Sequence, residues 1–146
     1  MKTLCLSLLA AVLLAVPAHA QKMAAAKVPA AVTAAFKKAF PQTTKVKWEK
    51  EDGQYEAEFT QGTAEMSALL SPAGELLETE TEMQPSQLPV PVREVLAAQY
   101  KAAKVTEAAK ILTHKTGAVT YEAEVMEGGK KHDLLFTADG KLVEKK

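Results

Sequence analysis

Paired glutamates are the side chains of this sequence with the clearest potential for chemistry. Glu56 and Glu58 lie in the segment Tyr-Glu-Ala-Glu-Phe, and Glu122 and Glu124 lie in a second segment, Tyr-Glu-Ala-Glu-Val. Side chains two residues apart project from the same face of a β-strand, so each pair forms a short acidic row. Such a row could meet a cation or a basic partner, or be a solvated strand face. Acid catalysis is disfavoured, because carboxylates on a flat sheet lack the pocket that raises a pKa.

Nucleophilic, metal and redox chemistry find little support in the remaining residues. The single cysteine, Cys5, lies in a segment that we expect to be removed, and only His114 and His132 remain as histidines beyond that segment. We expect His132 to be a half-buried packing residue rather than a ligand. No serine lies in a Gly-x-Ser-x-Gly turn. The sequence therefore predicts no catalytic residues, no metal site and no cofactor, and the protein is not expected to be an enzyme.

Two leucines lie at matching positions among polar and charged residues. Leu69 and Leu135 alternate with residues that we expect to face the core, so both should point outward, where a repeated leucine indicates a contact patch. A single exposed leucine is common on protein surfaces, which is the alternative interpretation. Together with the paired glutamates they form a predicted contact face, which comprises Glu56, Glu58, Leu69, Glu122, Glu124 and Leu135.

The first twenty residues are typical of a cleaved signal peptide. Met1-Lys2-Thr3 is a short positive start, Leu4 to Val16 is apolar except for Ser7, and Ala18-His19-Ala20 places small residues at the cleavage site. The apolar run is shorter than the roughly 20 residues that a membrane-spanning helix requires. We therefore expect cleavage after Ala20 and a periplasmic or secreted protein. The remaining 126 residues contain no cysteine, so disulfides cannot stabilise them.

The charge of the chain is balanced overall but uneven along its length. The full chain has 18 Lys+Arg and 18 Asp+Glu, which gives no electrostatic reason to expect nucleic acid or an anionic membrane as partner. Residues 28–80 have 5 basic and 9 acidic side chains, whereas residues 88–146 have 10 basic and 8 acidic ones. The two halves should therefore attract one another weakly and present different surfaces.

These halves are two copies of one pattern. At an offset of 60 residues, Val28-Pro29 matches Leu88-Pro89, and three further apolar pairs follow at helical spacing: Val32 with Val92, Phe36 with Leu96, and Phe40 with Tyr100. At an offset of 66 residues, the Tyr-Glu-Ala-Glu segments match, as do Leu69 with Leu135 and Gly74 with Gly140. The second copy therefore has six extra residues between its helix and Tyr121. Two copies indicate a duplicated unit rather than a solenoid.

Each copy is predicted to be a helix followed by an antiparallel meander. Helical spacing is followed by strict alternation and by glycine-containing turns at 51–54, 61–63 and 71–74, with equivalents in the second copy. We divide the chain into an N-terminal linker at 21–27, a first unit at 28–81, a linker at 82–87 and a second unit at 88–146. The fold class is α+β, and such a short linker makes the units neighbours.

The duplicated unit resembles the PepSY-like family of secreted bacterial proteins, which is also described as beta-lactamase-inhibitor-like. The Tyr-Glu-Ala-Glu strand, the glycine hairpin near the end of each unit and the signal peptide carry the resemblance, which covers residues 28–146. The resemblance implies a curved sheet formed by both units, with helices on one side and an open face for a protein partner. The lactamase inhibitor itself is stabilised by disulfides, and we match no segment here to its lactamase-contacting residues, so lactamase inhibition does not carry over.

Three functions remain compatible with the sequence. The first is a non-enzymatic binding module that inhibits or regulates a protein partner, such as an envelope or secreted enzyme. The second is a carrier of a small ligand or cation that uses the acidic strand face. The third is a structural role in the cell envelope.

The two units are predicted to depend on each other for stability. A unit of roughly 55 to 60 residues buries only about 60% of its unfolded surface, which is marginal without a disulfide or a metal. We expect residues 21–84 and 85–146, expressed separately, each to be far less stable than residues 21–146, and the longer chain to melt in one cooperative step. Calorimetry measures this directly. Two well-separated transitions that match those of stable isolated halves would contradict the prediction.

Overall fold

Apolar residues at helical spacing form two matching helices in the computed structural model, which describes residues 21–145. Helix α1 spans Ala30–Ala39 and helix α2 spans Val90–Gln99, and a proline precedes each of them, where the missing N–H costs no hydrogen bond. Neither is long and apolar enough to cross a membrane. The predicted signal peptide, residues 1–20, lies outside the described residues.

Alternating sequences form the strands of a single antiparallel sheet. Within residues 21–145 the strands follow one another in chain order across the sheet. They are β1 (Gln21–Met23), β2 (Val46–Glu51), β3 (Gln54–Gln61), β4 (Ala64–Leu70), β5 (Leu76–Met83), β6 (Lys104–Thr113), β7 (Ala118–Glu127), β8 (Lys130–Phe136) and β9 (Leu142–Lys145). Short 3-10 helices at Ala25–Lys27 and Pro85–Gln87 precede α1 and α2. The predicted α+β fold with two helix-plus-meander units is confirmed.

Each helix covers its own hydrophobic core on the same face of the sheet. Val32 and Phe36 of α1 pack in a first core, in which the Phe36 ring lies 5.2 Å from Phe40, 5.4 Å from Trp48 and 5.0 Å from Phe59, measured between centroids. In α2 the equivalent buried residues are Val92 and Leu96, and the second core also contains Ala108, Ala123, Val125, Leu134 and Phe136. We call the face that carries both helices the helix face.

Strand β5 belongs to both units. Its residues from Leu76 to Thr81 pair with β4, and its residues from Glu78 to Met83 pair with β6. The segments predicted as linkers contain regular structure: residues 82–87 include the end of β5 and a 3-10 helix, and residues 21–27 include β1 and the other 3-10 helix. Both segments are short and lack a clear alternation of apolar and polar residues, so periodicity did not reveal these elements.

The six extra residues of the second copy lengthen the hairpin that contacts β5. Strands β6 and β7 have ten residues each, whereas the equivalent strands β2 and β3 have six and eight. At the far end of this hairpin, Ile111, Leu112 and Thr113 pair with Glu80, Thr79 and Glu78 of β5. The shorter β2 pairs with only three residues of β1. The insertion thus extends the pairing that joins the two units.

A glycine in each unit allows a β-turn to pack against the start of the helix. Gly74 follows β4 and Gly140 follows β8, and both have a φ of +85°, which favours glycine. A Cβ atom at Gly74 would lie 2.6 Å from the carbonyl oxygen of Ala31, and one at Gly140 would lie 2.9 Å from the carbonyl of Pro91. These turns therefore hold the first turn of α1 and α2 against the sheet.

Replacing Gly74 or Gly140 by alanine should destabilise the protein by more than the cost of placing alanine at a positive φ. We expect Gly74→Ala and Gly140→Ala each to lower the free energy of unfolding by about 2 to 4 kcal/mol, because the added methyl group collides with helix backbone. Gly62→Ala is the matched control: its φ is +65° and no heavy atom lies within 4 Å of the added Cβ, so we expect a loss of about 1 kcal/mol. Urea denaturation measures all three. Equal losses would contradict the packing role.

Candidate functional site

The side of the sheet opposite the helices is the candidate functional surface. Residues that pair across antiparallel strands share a face, so the register identifies which side chains lie together. The helix face includes Ala57, Ala68 and Thr79, which lie side by side on β3, β4 and β5. Glu56, Glu58, Leu69 and their partners therefore lie on the other side, where no helix packs among residues 21–145. We call this side the open face.

Acidic side chains form rows across the open face. One row joins Glu49, Glu56, Leu69 and Glu78 from β2 to β5. The next joins Lys47, Glu58, Ser67, Glu80, Ile111 and Thr120 from β2 to β7. A third joins Glu82, Ala109, Glu122, Leu135 and Glu144 from β5 to β9, and a fourth joins Glu107, Glu124 and Asp133. All six residues of the predicted contact face lie on this surface.

The two predicted glutamate pairs are not neighbours, and β5 lies between them. Four strand spacings separate β3 from β7, which is roughly 19 Å. Glu80 occupies the space between the pairs: burial raises its pKa to about 7, and the negative charges of Glu122, Glu56 and Glu82 contribute to the same shift. The Glu80 carboxylate therefore interacts electrostatically with Glu56 of the first pair and with Glu122 of the second.

Burial raises other carboxyl pKa values on the open face. For Glu56, burial is the largest cause and repulsion from Glu58 adds to it, while a hydrogen bond from Ser67 opposes both. For Glu82, burial is again the largest cause, and repulsion from Glu65 and Glu107 adds to it. The face thus carries acids that are partly removed from water and close to one another, an arrangement that costs folding free energy.

Cations neutralise only parts of this surface. Lys131 Nζ lies 2.8 Å from Glu124 Oε1 and 3.9 Å from Glu107 Oε1, and Thr106 donates a hydrogen bond to Glu124. Lysine and threonine together lower the pKa of Glu124. Lys47 Nζ lies 3.3 Å from Glu58 Oε2 at the opposite end of the sheet. Glu80 itself, at the centre, forms no ion pair among the described residues.

Apolar side chains lie between the acids. Leu69 pairs with Glu56 and Glu78, and Leu135 pairs with Glu122 and Glu144, so each leucine is flanked by glutamates in its row. Both leucines are half-buried. Ile111, at the centre, is only 8% exposed although no helix covers it. The open face is therefore an acidic surface with an apolar component.

Sequence reasoning overlooked the contribution of β5 and β6 to this surface. Glu78, Glu80, Glu82 and Ile111 were not among the predicted contact residues, although the segment Glu-Thr-Glu-Thr-Glu alternates with the period of a strand. That alternation was the available signal. Placing these glutamates between the other pairs required knowledge that both units share one sheet.

The two histidines have different surroundings. His114 forms a hydrogen bond of 2.7 Å with the Thr79 hydroxyl, and His132 is half-buried on the helix face, opposite Val125. Ser67 lies on the open face, where it hydrogen-bonds to Glu56. Within residues 21–145, no group of three or more His, Cys, Asp or Glu side chains has the arrangement of a metal site.

This fold defines a class of α+β proteins in which two helix-plus-meander units share one antiparallel sheet. The chain belongs to the family described as "Putative beta-lactamase-inhibitor-like, PepSY-like", whose model matches residues 14–78 and again residues 71–144. The resemblance noted from sequence is thus confirmed. No curated protein is significantly similar in sequence.

Solved structures from Bacteroides species share the fold. A BLIP-like protein from Bacteroides fragilis is 28% identical, with a TM-score of 0.65 over 80% of this chain and 83% of its own. A DUF2874 family protein from Bacteroides uniformis is 23% identical, with a TM-score of 0.72 over 81% and 88%. A protein from Bacteroides eggerthii, described as a putative periplasmic protein, is 19% identical, with a TM-score of 0.72 over 82% and 88%.

Stability should depend on pH through Glu80. Its pKa in the folded protein, about 7, exceeds the ordinary 4.5, so between these values the native state binds more protons and stability falls as pH rises. We expect Glu80→Gln to stabilise the protein at pH 8 by on the order of 2 kcal/mol, and the gain to vanish below about pH 4.5. Urea denaturation at a series of pH values measures this.

Glu124→Gln is the control variant, for which we expect the opposite change in stability at pH 8. Its carboxylate is stabilised by Lys131 and Thr106, so its removal should lower stability at pH 8. A Glu80→Gln variant that is less stable than the wild type at pH 8 would contradict our electrostatic description of the face.

Proposed function

We propose that this protein is a non-enzymatic binding module of the periplasm or the secreted fraction, and that its open face binds a basic protein. The position of Glu80 carries the proposal. A carboxylate buried among other acids, with no ion pair among the described residues, reduces stability. A cationic side chain from a partner would offset that repulsion and restore the ordinary ionisation of Glu80.

The apolar residues of the open face support a protein partner rather than a small ion. Leu69 and Leu135 lie at equivalent positions in the two units and are half-buried, so each unit keeps some apolar surface for contact on the open face. Protein interfaces combine an apolar centre with charged residues that set specificity and association rate. We infer that the partner presents lysine or arginine side chains around an apolar patch.

Regulation or inhibition of an envelope or secreted enzyme is the activity that we propose for this complex. The family description and the similarity to a BLIP-like protein support an inhibitor-like role. Lactamase inhibition itself is not part of the proposal, because the mature sequence lacks cysteine and no segment matches the lactamase-contacting residues.

Binding should depend on both the acidic and the apolar residues of the open face. The mature chain, immobilised, is exposed to periplasmic extract of the source bacterium, and retained proteins are quantified by mass spectrometry. We expect a specific basic protein that is released as salt increases, because exposed charges are screened over about 10 Å at 0.1 M ionic strength. We expect either of two double variants to reduce retention at least about tenfold, a loss of ~1.4 kcal/mol in binding free energy. One is Leu69→Gln with Leu135→Gln, and the other is Glu58→Gln with Glu82→Gln.

The control changes one exposed apolar residue and one exposed glutamate on the other side of the protein. Val90 and Glu94 are exposed on α2, so Val90→Gln/Glu94→Gln should leave retention unchanged. Equal retention by all variants would contradict the proposal. Calorimetry with calcium and zinc tests the cation-carrier alternative: saturable heat with either ion, together with a raised melting temperature, would favour the carrier over the protein-binding module.

A further inference from the structure

A groove on the helix face, away from the open face, lies between the two hydrophobic cores. Thr79 and Thr81 of β5 point to the helix face, yet neither belongs to the first or the second core. Each helix covers the strands of its own unit, so the shared strand between them has no helix above it. The resulting groove has a volume of about 420 Å³, within the ~300–1,000 Å³ of typical small-molecule sites.

Apolar side chains from both units line this groove. The first unit contributes the end of α1 and its neighbouring strands, and the second contributes the extended β6–β7 hairpin. The apolar lining residues are Ala39, Phe40, Met66, Leu76, Leu112 and Val119. Because Leu112 and Val119 pair at the lengthened end of the hairpin, the groove depends on the six-residue insertion of the second copy.

The charge of the groove differs in sign from that of the open face. Lys110 and His114 are the titratable residues that line it, and no carboxylate does. No ion pair or hydrogen bond engages the Lys110 ammonium among residues 21–145. The His114 ring is held by the Thr79 hydroxyl at 2.7 Å. Lys110 and His114 lie four residues apart near one end of the sheet, which is roughly 13 Å along a strand, with Leu112 between them.

We propose that this groove binds an alkyl carboxylate, a fatty-acid-type ligand. The carboxylate lies at Lys110, where a cation without an acidic partner complements its charge. The alkyl chain lies across Leu112 towards His114, in contact with Met66 and Val119. An apolar pocket with one or a few polar groups that set orientation is the usual composition of a small-molecule site.

Binding of decanoate to the mature chain tests this proposal. Titration below the micellar concentration is followed by NMR of the methyl groups, and we expect saturable shifts at Met66, Leu112 and Val119 but not at Leu134 in the second core. Decanol and decyltrimethylammonium are the comparison ligands. We expect decanoate to bind about two- to fivefold more tightly than either, the contribution of one exposed ion pair.

Variants separate the charge of the groove from its apolar lining. Lys110→Met should abolish the preference for decanoate over decanol. Leu112→Gln should lower the affinity for both ligands at least about fivefold. Lys104→Met, on the same strand but outside the groove, is the matched control and should bind decanoate as the wild type does. Thermal melting confirms that each variant is folded.

Three results would overturn the proposal: no saturable shift with decanoate, equal affinity for decanoate and decanol, or an unchanged preference in Lys110→Met. The test is independent of the partner on the open face, because variants of Leu69 and Leu135 leave the groove intact and should bind decanoate normally.

Discussion

The double pairing of strand β5 is the constraint on which the rest of the structure depends. One edge of β5 completes the sheet of the first unit, and its other edge begins the sheet of the second. A unit of this size buries only a small core alone, and residues 21–146 contain no cysteine that could form a compensating disulfide. Backbone hydrogen bonds along a single strand therefore join the two copies of a duplicated sequence into one continuous sheet.

The shared strand β5 has a different effect on each face of the sheet. On the helix face, two helices cover two cores and leave β5 uncovered, which creates an apolar groove with a lysine. On the open face, β5 brings glutamates between the acidic rows of both units. The same strand thus separates the cores on one side and joins the charges on the other.

The acidic centre of the open face reduces the stability of the folded protein. Burial and mutual repulsion raise the carboxyl pKa values of Glu56 on β3 and of Glu80 and Glu82 on β5. Proteins tolerate such local conflicts mainly where a site needs them, because stability is provided elsewhere in the fold. Here the aromatic core of the first unit, the second core and the glycine turns against each helix supply that stability.

The sequence alone determined the two helices, the strands of each meander, the duplication and the family, because these depend on local periodicity and on the order of motifs. Helical spacing at Val32 and Phe36, alternation around Glu56 and the glycine of each hairpin are local signals. Only the tertiary structure decided that β5 serves both units and that Glu80 lies between the two glutamate pairs. Strand pairing joins residues that are distant in sequence, and a pattern with a period of two does not specify which strand is the neighbour.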